Sequence, residues 1–597
     1  MINMVNDFLP ISMKDLKKRG WKELDIILIS GDAYVDHPSY GIAVISRFLE
    51  SKGYKVGIIA QPDWCSTRDF LKLGRPRLFF GVTSGNVDSM VANYTANKKP
   101  RKKDDYSPGG KIGLRPDRAI IVYTNRLREV FGRVPIVIGG LEASLRRLAH
   151  YDYWDNRVRR SILVDSKADI LVYGMGERQV LEIAEHFKRG GNLETLPLIR
   201  GTVLVKNDYP LEKDTIVLPS FEEVRINKDK FMEAFRIIYS NICPKTAKTL
   251  VQRNNGCSVI QFPPQFPLTP QEMDYIYDLP YTRRAHPIYN KYGGVKGLET
   301  VKFSIVSHRG CCGECAFCSL YIHQGRIVQS RSWESILKEA EIISQEKDFK
   351  GTITDIGGPT ANLYRANCLL WEKGDFCKDK GCVVPKKCSK LNLGYEESLE
   401  LYRKIRELPR IKHIFINSGF RYDLLIEDYA KDYLREICKF HISGQMKVAP
   451  EHIVDDVLKI MNKPPFKVYQ RFVKIFKEVV KEISLPLYLV NYFISAHPGS
   501  NLTDTLKLAL YLFKRRLHPE QVQDFIPLPM TLSACIYYTG KHPFTGENIY
   551  VPRTFRERKI QRALIQYYNP KSKRLILKAL NIWQYKNLIK ILSKKQG

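Results

Sequence analysis

Short β-branched runs, each followed by an amphipathic stretch, recur along most of this 597-residue chain, and that alternation restricts the fold more than any other feature. In the first region the runs are DIILIS from Asp25, KVGIIAQ, LFFGVTS, VPIVIGG from Val134 and ADILVYGMGE from Ala168. Strands alternating with helical patterns build βαβ units and hence a parallel sheet. Each run ends in small or polar residues, such as Ser30-Gly31-Asp32, Ser84-Gly85, Gly139-Gly140 and Gly174-Met175-Gly176. Turns of this kind lie at the carboxyl ends of strands, where open α/β sheets bind ligands. The pair Gly174 and Gly176 lacks the spacing of a full dinucleotide fingerprint. From Val301 the alternation resumes through five or six repeats, the pattern of an open or complete (β/α) barrel.

The predicted organisation is an α/β chain with a Rossmann-like domain over 1–197, an irregular linking segment over 198–299, a core barrel over 300–545 and basic helices over 546–597. Residues 96–118, rich in Pro, Gly and charge, read as a long surface loop. A hydrophobic share of 44% with 26% charged residues is ordinary globular usage and excludes a largely disordered or fibrous chain. Lys+Arg of 95 against Asp+Glu of 63 leaves +32, which favours anionic partners such as RNA. No apolar run reaches the ~18 residues of a membrane span, and the first residues lack a leader pattern. A cytoplasmic location without membrane contact is expected.

Eight of the 13 cysteines lie between Cys311 and Cys388, a concentration that suits metal binding in a reducing compartment better than disulfides. After the strand-like VKFSIVS, Cys311, Cys315 and Cys318 form C-x3-C-x2-C, with Phe317 just before the last cysteine. Three thiolates on a short glycine-containing loop suit an iron–sulfur cubane, whose fourth iron stays open to a ligand. A structural zinc site is the alternative, completed by His308 or by Cys312, which sits inside the x3 interval. In the insertion over 363–392, Cys368, Cys377, Cys382 and Cys388 form a second group, suited to zinc or an auxiliary iron–sulfur cluster.

The Cys311–Cys318 loop resembles the signature of the radical S-adenosylmethionine (SAM) superfamily. That resemblance implies a [4Fe–4S] cluster on Cys311, Cys315 and Cys318, SAM on its open iron, and reductive cleavage to methionine and a 5′-deoxyadenosyl radical. It implies adenine contact by the backbone around Phe317, and receipt of the methionine amino group by Gly357, Gly358, Pro359 and Thr360 of TITDIGGPTAN. Polar residues at later strand ends, Ser418 of SGFRYD and Glu451 of KVAPEH, would hold ribose or carboxylate groups, with Arg421, Lys447 and His452 beside them. GGPTANLY, SGFRYD, KVAPEH, YFISAHPG and QDFIPLPMTLSACIYYTG are similar to the YgiQ-type radical SAM family, from about Leu24 to the final helices. The resemblance implies a partial or complete TIM-type barrel and an electron donor such as flavodoxin or ferredoxin; it supplies no substrate.

The N-terminal region is similar to the cobalamin-binding Rossmann-like domains that precede many radical SAM cores, which adds cobalamin as an expected cofactor. The lower-ligand motif D-x-H-x-x-G is absent, because Asp36 and His37 are adjacent. Arg115, Asp117, Arg146, Arg147 and Tyr153 are candidates for the surface opposing the barrel. Two further readings stay open: a non-catalytic, metal-stabilised RNA-binding or assembly factor, and a cobalamin-dependent radical SAM methyltransferase.

Overall fold

A computed structural model describes residues 7–582, apart from 208, 211, 212 and 379. The five parallel strands of the N-terminal sheet are Ile26–Ser30, Val56–Ala60, Phe79–Thr83, Ile136–Gly139 and Ile170–Val172. Numbered along the chain, they stand in the order 2-1-3-4-5, a doubly wound arrangement with its switch point between Ile26–Ser30 and Phe79–Thr83. Helices cover both faces, so Ile26 and Leu28 enter one core while Ile27 and Ile29 enter the other. A strand buried on both sides reads as an unbroken apolar run, which is why DIILIS shows no alternation.

The segment 198–299, expected to be irregular, instead contributes four strands to this sheet: Thr202–Lys206, Thr215–Leu218, Thr249–Asn254 and Cys257–Gln261. Thr202–Lys206 runs antiparallel to Ile170–Val172 and to Cys257–Gln261. The last two strands form a hairpin across Asn255-Gly256, both at positive φ. Asn-Gly between apolar runs is a strong local hairpin signal, but prolines and aromatics further along masked it. Only the later part is a strap, in which Arg284–Ala285 pairs with Val35–Asp36 of the first domain.

The second unit is a partial barrel. Parallel pairing links Ser304–Val306 to Asp355–Gly357, Thr352–Ile353 to His413–Ile414, Gln445–Glu451 to Tyr488–Ser495, and the last of these to Val522–Asp524. A parallel bridge from Phe420 to Val448 joins the two halves. Among the described residues no pairing returns Val522–Asp524 to Ser304–Val306, so the barrel is open there.

Helix Phe555–Ile565 packs on Leu502–Lys514 through Leu506, Ala509, Ile560, Ala563 and Leu564. Each fully buried leucine or isoleucine here contributes about 1.5–3 kcal/mol, which makes the basic C-terminal region a packing element as far as Ile576. The end of the expected helices, 583–597, lies outside the described residues. Among the described residues no helix is long and apolar enough to cross a membrane.

Candidate active site

The first barrel strand leads into His308–Arg309, which pairs with Gln329–Ser330, and the cysteine loop is held between these partners. Gly310 has φ +83°, and a Cβ there would collide with the Ile327 carbonyl oxygen, so the loop can close only on glycine. Gly313 leaves room for the Arg421 guanidinium, and its N–H donates to the Cys311 Sγ at 3.4 Å. The Cys318 N–H donates to the Cys315 carbonyl at 2.9 Å, which makes the final turn tight. The helix Leu320–Gln324 then docks on the first domain, where His323 Nδ1 lies 3.0 Å from Ser144 Oγ.

Burial pushes the Cys311 thiol up, an effect that Arg421 opposes. Cys318 is pushed up to about 12, by burial first and then by Cys315 and Cys311. Cys311 and Cys318, partly buried and raised in this way, hold their charge only beside a cation or metal. Arg421 supplies one such charge: its Nη1 lies 3.9 Å from Cys315 Sγ and its Nη2 donates to Asp423 at 2.6 Å. Burial works against the guanidinium charge, and Asp423 with the two thiols more than offsets it, so Arg421 stays firmly protonated. Cys312 is buried and lies within electrostatic reach of Cys382 as well as Cys311.

The neighbouring strand end brings Gly357, Gly358, Pro359 and Thr360 to the loop, and Thr360 Oγ1 sits 3.7 Å from Cys311 Sγ. A Cβ on Gly358 would lie 2.6 Å from the His308 carbonyl oxygen, and one on Gly357 would lie 2.5 Å from Ser418 Oγ. Ser418 donates its hydroxyl to Asp355 at 2.5 Å, and the Asn417 and Ser418 N–H groups donate to the same carboxylate. The Phe317 ring is edge-on to His497 at 5.9 Å. His497 in turn contacts Ser533 Oγ at 2.7 Å and packs against Phe525. Asp355, Asp423 and His497 carry no spacing signal relative to the cysteine motif; only the barrel brings them beside it.

Glu451 closes its strand with φ +64° and a buried side chain. Burial pushes its carboxyl up to about 7 from an ordinary 4.5, against the opposing effect of Lys463. Between those values the folded chain holds the proton more firmly than the unfolded chain. Its contribution to stability is therefore complete below about pH 4.5 and is lost as the pH rises to about 7. In a pH series of denaturation midpoints, Glu451→Gln is expected to flatten the decline in that window; an unchanged slope would refute the assignment. Burial lowers His452 to about 3, so it is neutral, and its Nε2 lies 3.3 Å from Ser500 Oγ.

Among the described residues no three Cys, His, Asp or Glu side chains converge closely enough to hold a single metal ion. Three cysteines on one short loop, Cys311, Cys315 and Cys318, are a donor set of the chemistry that an iron–sulfur cubane with one open iron requires. In the insertion, Cys368, Cys377, Cys382 and Cys388 all border one small cavity.

At the switch point of the N-terminal sheet the loop 96–118 is exposed over much of its length but anchored by a few buried side chains. It folds over the strand ends, and buried Arg115 bonds Asp32 at 2.7 Å, Asp104 at 3.2 Å and the Gly31 carbonyl at 3.1 Å. Burial, opposed by Arg115, still pushes Asp32 up to about 6. Arg146 is paired with Asp88, Asp117 accepts from Asn93 and Tyr94, and the Tyr153 hydroxyl donates to the Ala96 carbonyl. Of the five candidates for the opposing surface, Arg147 alone lines the cavity of about 110 Å³ at the domain junction, together with Gln179, Tyr239, His323 and Arg326. His37 is fully buried beside Val301 and Lys302, and its Nδ1 accepts from the Ser39 N–H. It offers no exposed ligand to cobalt.

The chain matches the Radical SAM N-terminal family over residues 8–304, the Radical SAM superfamily over 305–512, and a domain of unknown function, DUF3362, over 520–594. It is 53% identical to a UPF0313 protein of Clostridium botulinum (strain Loch Maree / Type A3), over 95% of this chain and 88% of the relative. It is 50% identical to a UPF0313 protein of Methanocella arvoryzae, over 96% of this chain and 95% of the relative. Among solved structures it is similar to the radical SAM methyltransferase TsrM of Kitasatospora setae, with a TM-score of 0.47 and 15% identity over 85% of this chain and 75% of that one. A [4Fe–4S] cluster and SAM are the cofactors that the superfamily match entails. The chain belongs to the UPF0313 family and is a radical SAM enzyme.

Proposed function

We propose that Cys311, Cys315 and Cys318 hold the [4Fe–4S] cluster and that SAM binds beside them, across the ends of the first barrel strands. The observation that carries this reading is the approach of Thr360 to Cys311 and of Arg421 to Cys315, which joins three strand ends at one point. A reduced [4Fe–4S] cluster held by Cys311, Cys315 and Cys318 would supply the one-electron chemistry by which SAM is cleaved to methionine and a 5′-deoxyadenosyl radical.

The chain's own groups have distinct tasks. Arg421 keeps a fixed positive charge against the thiolates and so favours their ionised form. Gly357 and Gly358 leave backbone edges free of side chains, so that the methionine amino group can approach at Pro359 and Thr360. Ser418 and Glu451 face the ribose and carboxylate from the next strand ends, and the backbone at Phe317 meets adenine. The Phe317, His497 and Phe525 rings keep water from the reacting carbon. A one-electron donor such as flavodoxin or ferredoxin is the required partner, and the net charge of +32 supports an anionic substrate class that includes RNA.

The test is anaerobic reconstitution with iron and sulfide, reduction in the presence of SAM, and quantification of 5′-deoxyadenosine. Product is expected. A fully loaded, reducible cluster that yields none would overturn the reading.

A further inference from the structure

The insertion after Leu363 is lysine-rich, yet it is ordered against the barrel: Cys368, Cys382 and Cys388 pack on the barrel core, and Val383 is buried. Its base is closed by Asn367 and Asn392, which exchange backbone hydrogen bonds at 3.0 Å in both directions. Apolar burial of Trp371, Phe376, Val383 and Leu391 seats the insertion on the barrel, and a cross-link among its cysteines would add further order. Disulfides do not provide it, since all four cysteines are free thiols.

Cys368, Cys377, Cys382 and Cys388 border one cavity of about 20 Å³, walled by buried Trp371, Phe376 and Leu391. Cys382 lies within electrostatic reach of Cys377 and Cys368, and its carbonyl accepts from the Cys388 N–H at 2.8 Å. Four cysteines bordering one cavity make sense as a socket for a thiolate-ligated group. A single zinc would draw four sulfurs to about 3.8 Å from one another, given Zn–S bonds of about 2.3 Å. Among the described residues no three cysteines approach as ligands of one ion. In this respect the insertion behaves as the Cys311–Cys318 loop does.

Charge is also provided for. A cubane with four thiolates is anionic, and Lys380 borders the cavity while Lys387 Nζ donates to the Cys388 carbonyl at 3.2 Å. Arg326, ion-paired with Glu314, lies over the Phe376 ring at 4.1 Å and within electrostatic reach of Cys382.

We propose that Cys368, Cys377, Cys382 and Cys388 hold a second iron–sulfur cluster, seated against the loop that carries the first. Cys312, between two ligands of the first cluster, lies within electrostatic reach of Cys382, which places the sites side by side. This second cluster does not depend on SAM cleavage.

The test compares wild type, a Cys311→Ala/Cys315→Ala/Cys318→Ala variant and a Cys368→Ala/Cys377→Ala/Cys382→Ala/Cys388→Ala variant. Each is reconstituted anaerobically with iron and sulfide and then assayed for iron, sulfide and zinc, with Mössbauer spectra. The expected counts are about eight irons for wild type and about four for each variant. One zinc and no iron in the first variant would overturn the proposal in favour of a structural zinc site. A wild type that holds only about four irons would overturn it as well, and that measurement stands even if neither variant folds. If wild type forms no 5′-deoxyadenosine while the first variant keeps its iron, the SAM reading fails and this one survives.

Discussion

Replacing Cys315 with alanine is expected to abolish reductive SAM cleavage and to remove the iron bound at this loop, while Cys312→Ala leaves both largely intact. The contrast follows from placement. Cys315 lies 3.9 Å from the Arg421 guanidinium and shares its electrostatic environment with Cys311 and Cys318. Cys312 is buried on the side of Cys382. Removing one of three ligands leaves two thiolates, too few to fix a cubane, and an Arg421 charge that has lost part of its compensation. The local sequence permits Cys312 to replace Cys311 or Cys315 as a ligand, and the fold buries it within electrostatic reach of Cys311 and Cys382. Parallel measurement of 5′-deoxyadenosine and iron decides the point: activity lost in Cys312→Ala and kept in Cys315→Ala would mean that the register is wrong.

Glu339→Ala is expected to lower stability by about 3–5 kcal/mol, because it strands two buried guanidinium groups. Glu339 Oε1 accepts from Arg283 at 2.5 Å, and Oε2 accepts from Arg331. Arg283 belongs to the strap from the N-terminal domain and also bonds the Lys302 and Ser304 carbonyls, while Arg331 bonds the Val306 carbonyl at 3.0 Å. One carboxylate thus ties the strap to the first barrel strand, the strand that ends at the cysteine loop. The measurement is the denaturant midpoint of the transition in which the barrel melts. A shift worth less than about 1 kcal/mol would place Glu339 with ordinary surface pairs.

Much of this architecture is legible locally. Apolar runs followed by amphipathic stretches announce βαβ units, since a strand buried on both faces has no room for polar residues. The C-x3-C-x2-C spacing is legible for the same kind of reason: the three proposed ligands lie on one short loop, so their approach depends on covalent geometry and on Gly310. Even the missed strands Thr249–Asn254 and Cys257–Gln261 carry their signal, in Asn255-Gly256.

Other features are invisible until the chain is folded. Arg115 lies in a stretch that reads as a solvated loop, yet it is buried against Asp32, 83 residues away, because an ion pair and a carbonyl contact offset its desolvation. Arg421 and Thr360 become neighbours of Cys315 and Cys311 only because parallel strands deliver their carboxyl ends to one rim. The four cysteines of the insertion border a common cavity only once the chain is folded, with Asn367 and Asn392 closing the base of the loop.

By itself, then, the sequence determined the α/β class and the three-cysteine loop, which depend on patterns spanning a few residues, and its resemblance to the radical SAM superfamily implied the cofactor chemistry. The tertiary structure decided which thiols face which partners, where the charges are compensated and how the sheet is extended. Those outcomes depend on burial and on groups that meet across tens to hundreds of residues, and no local pattern encodes them.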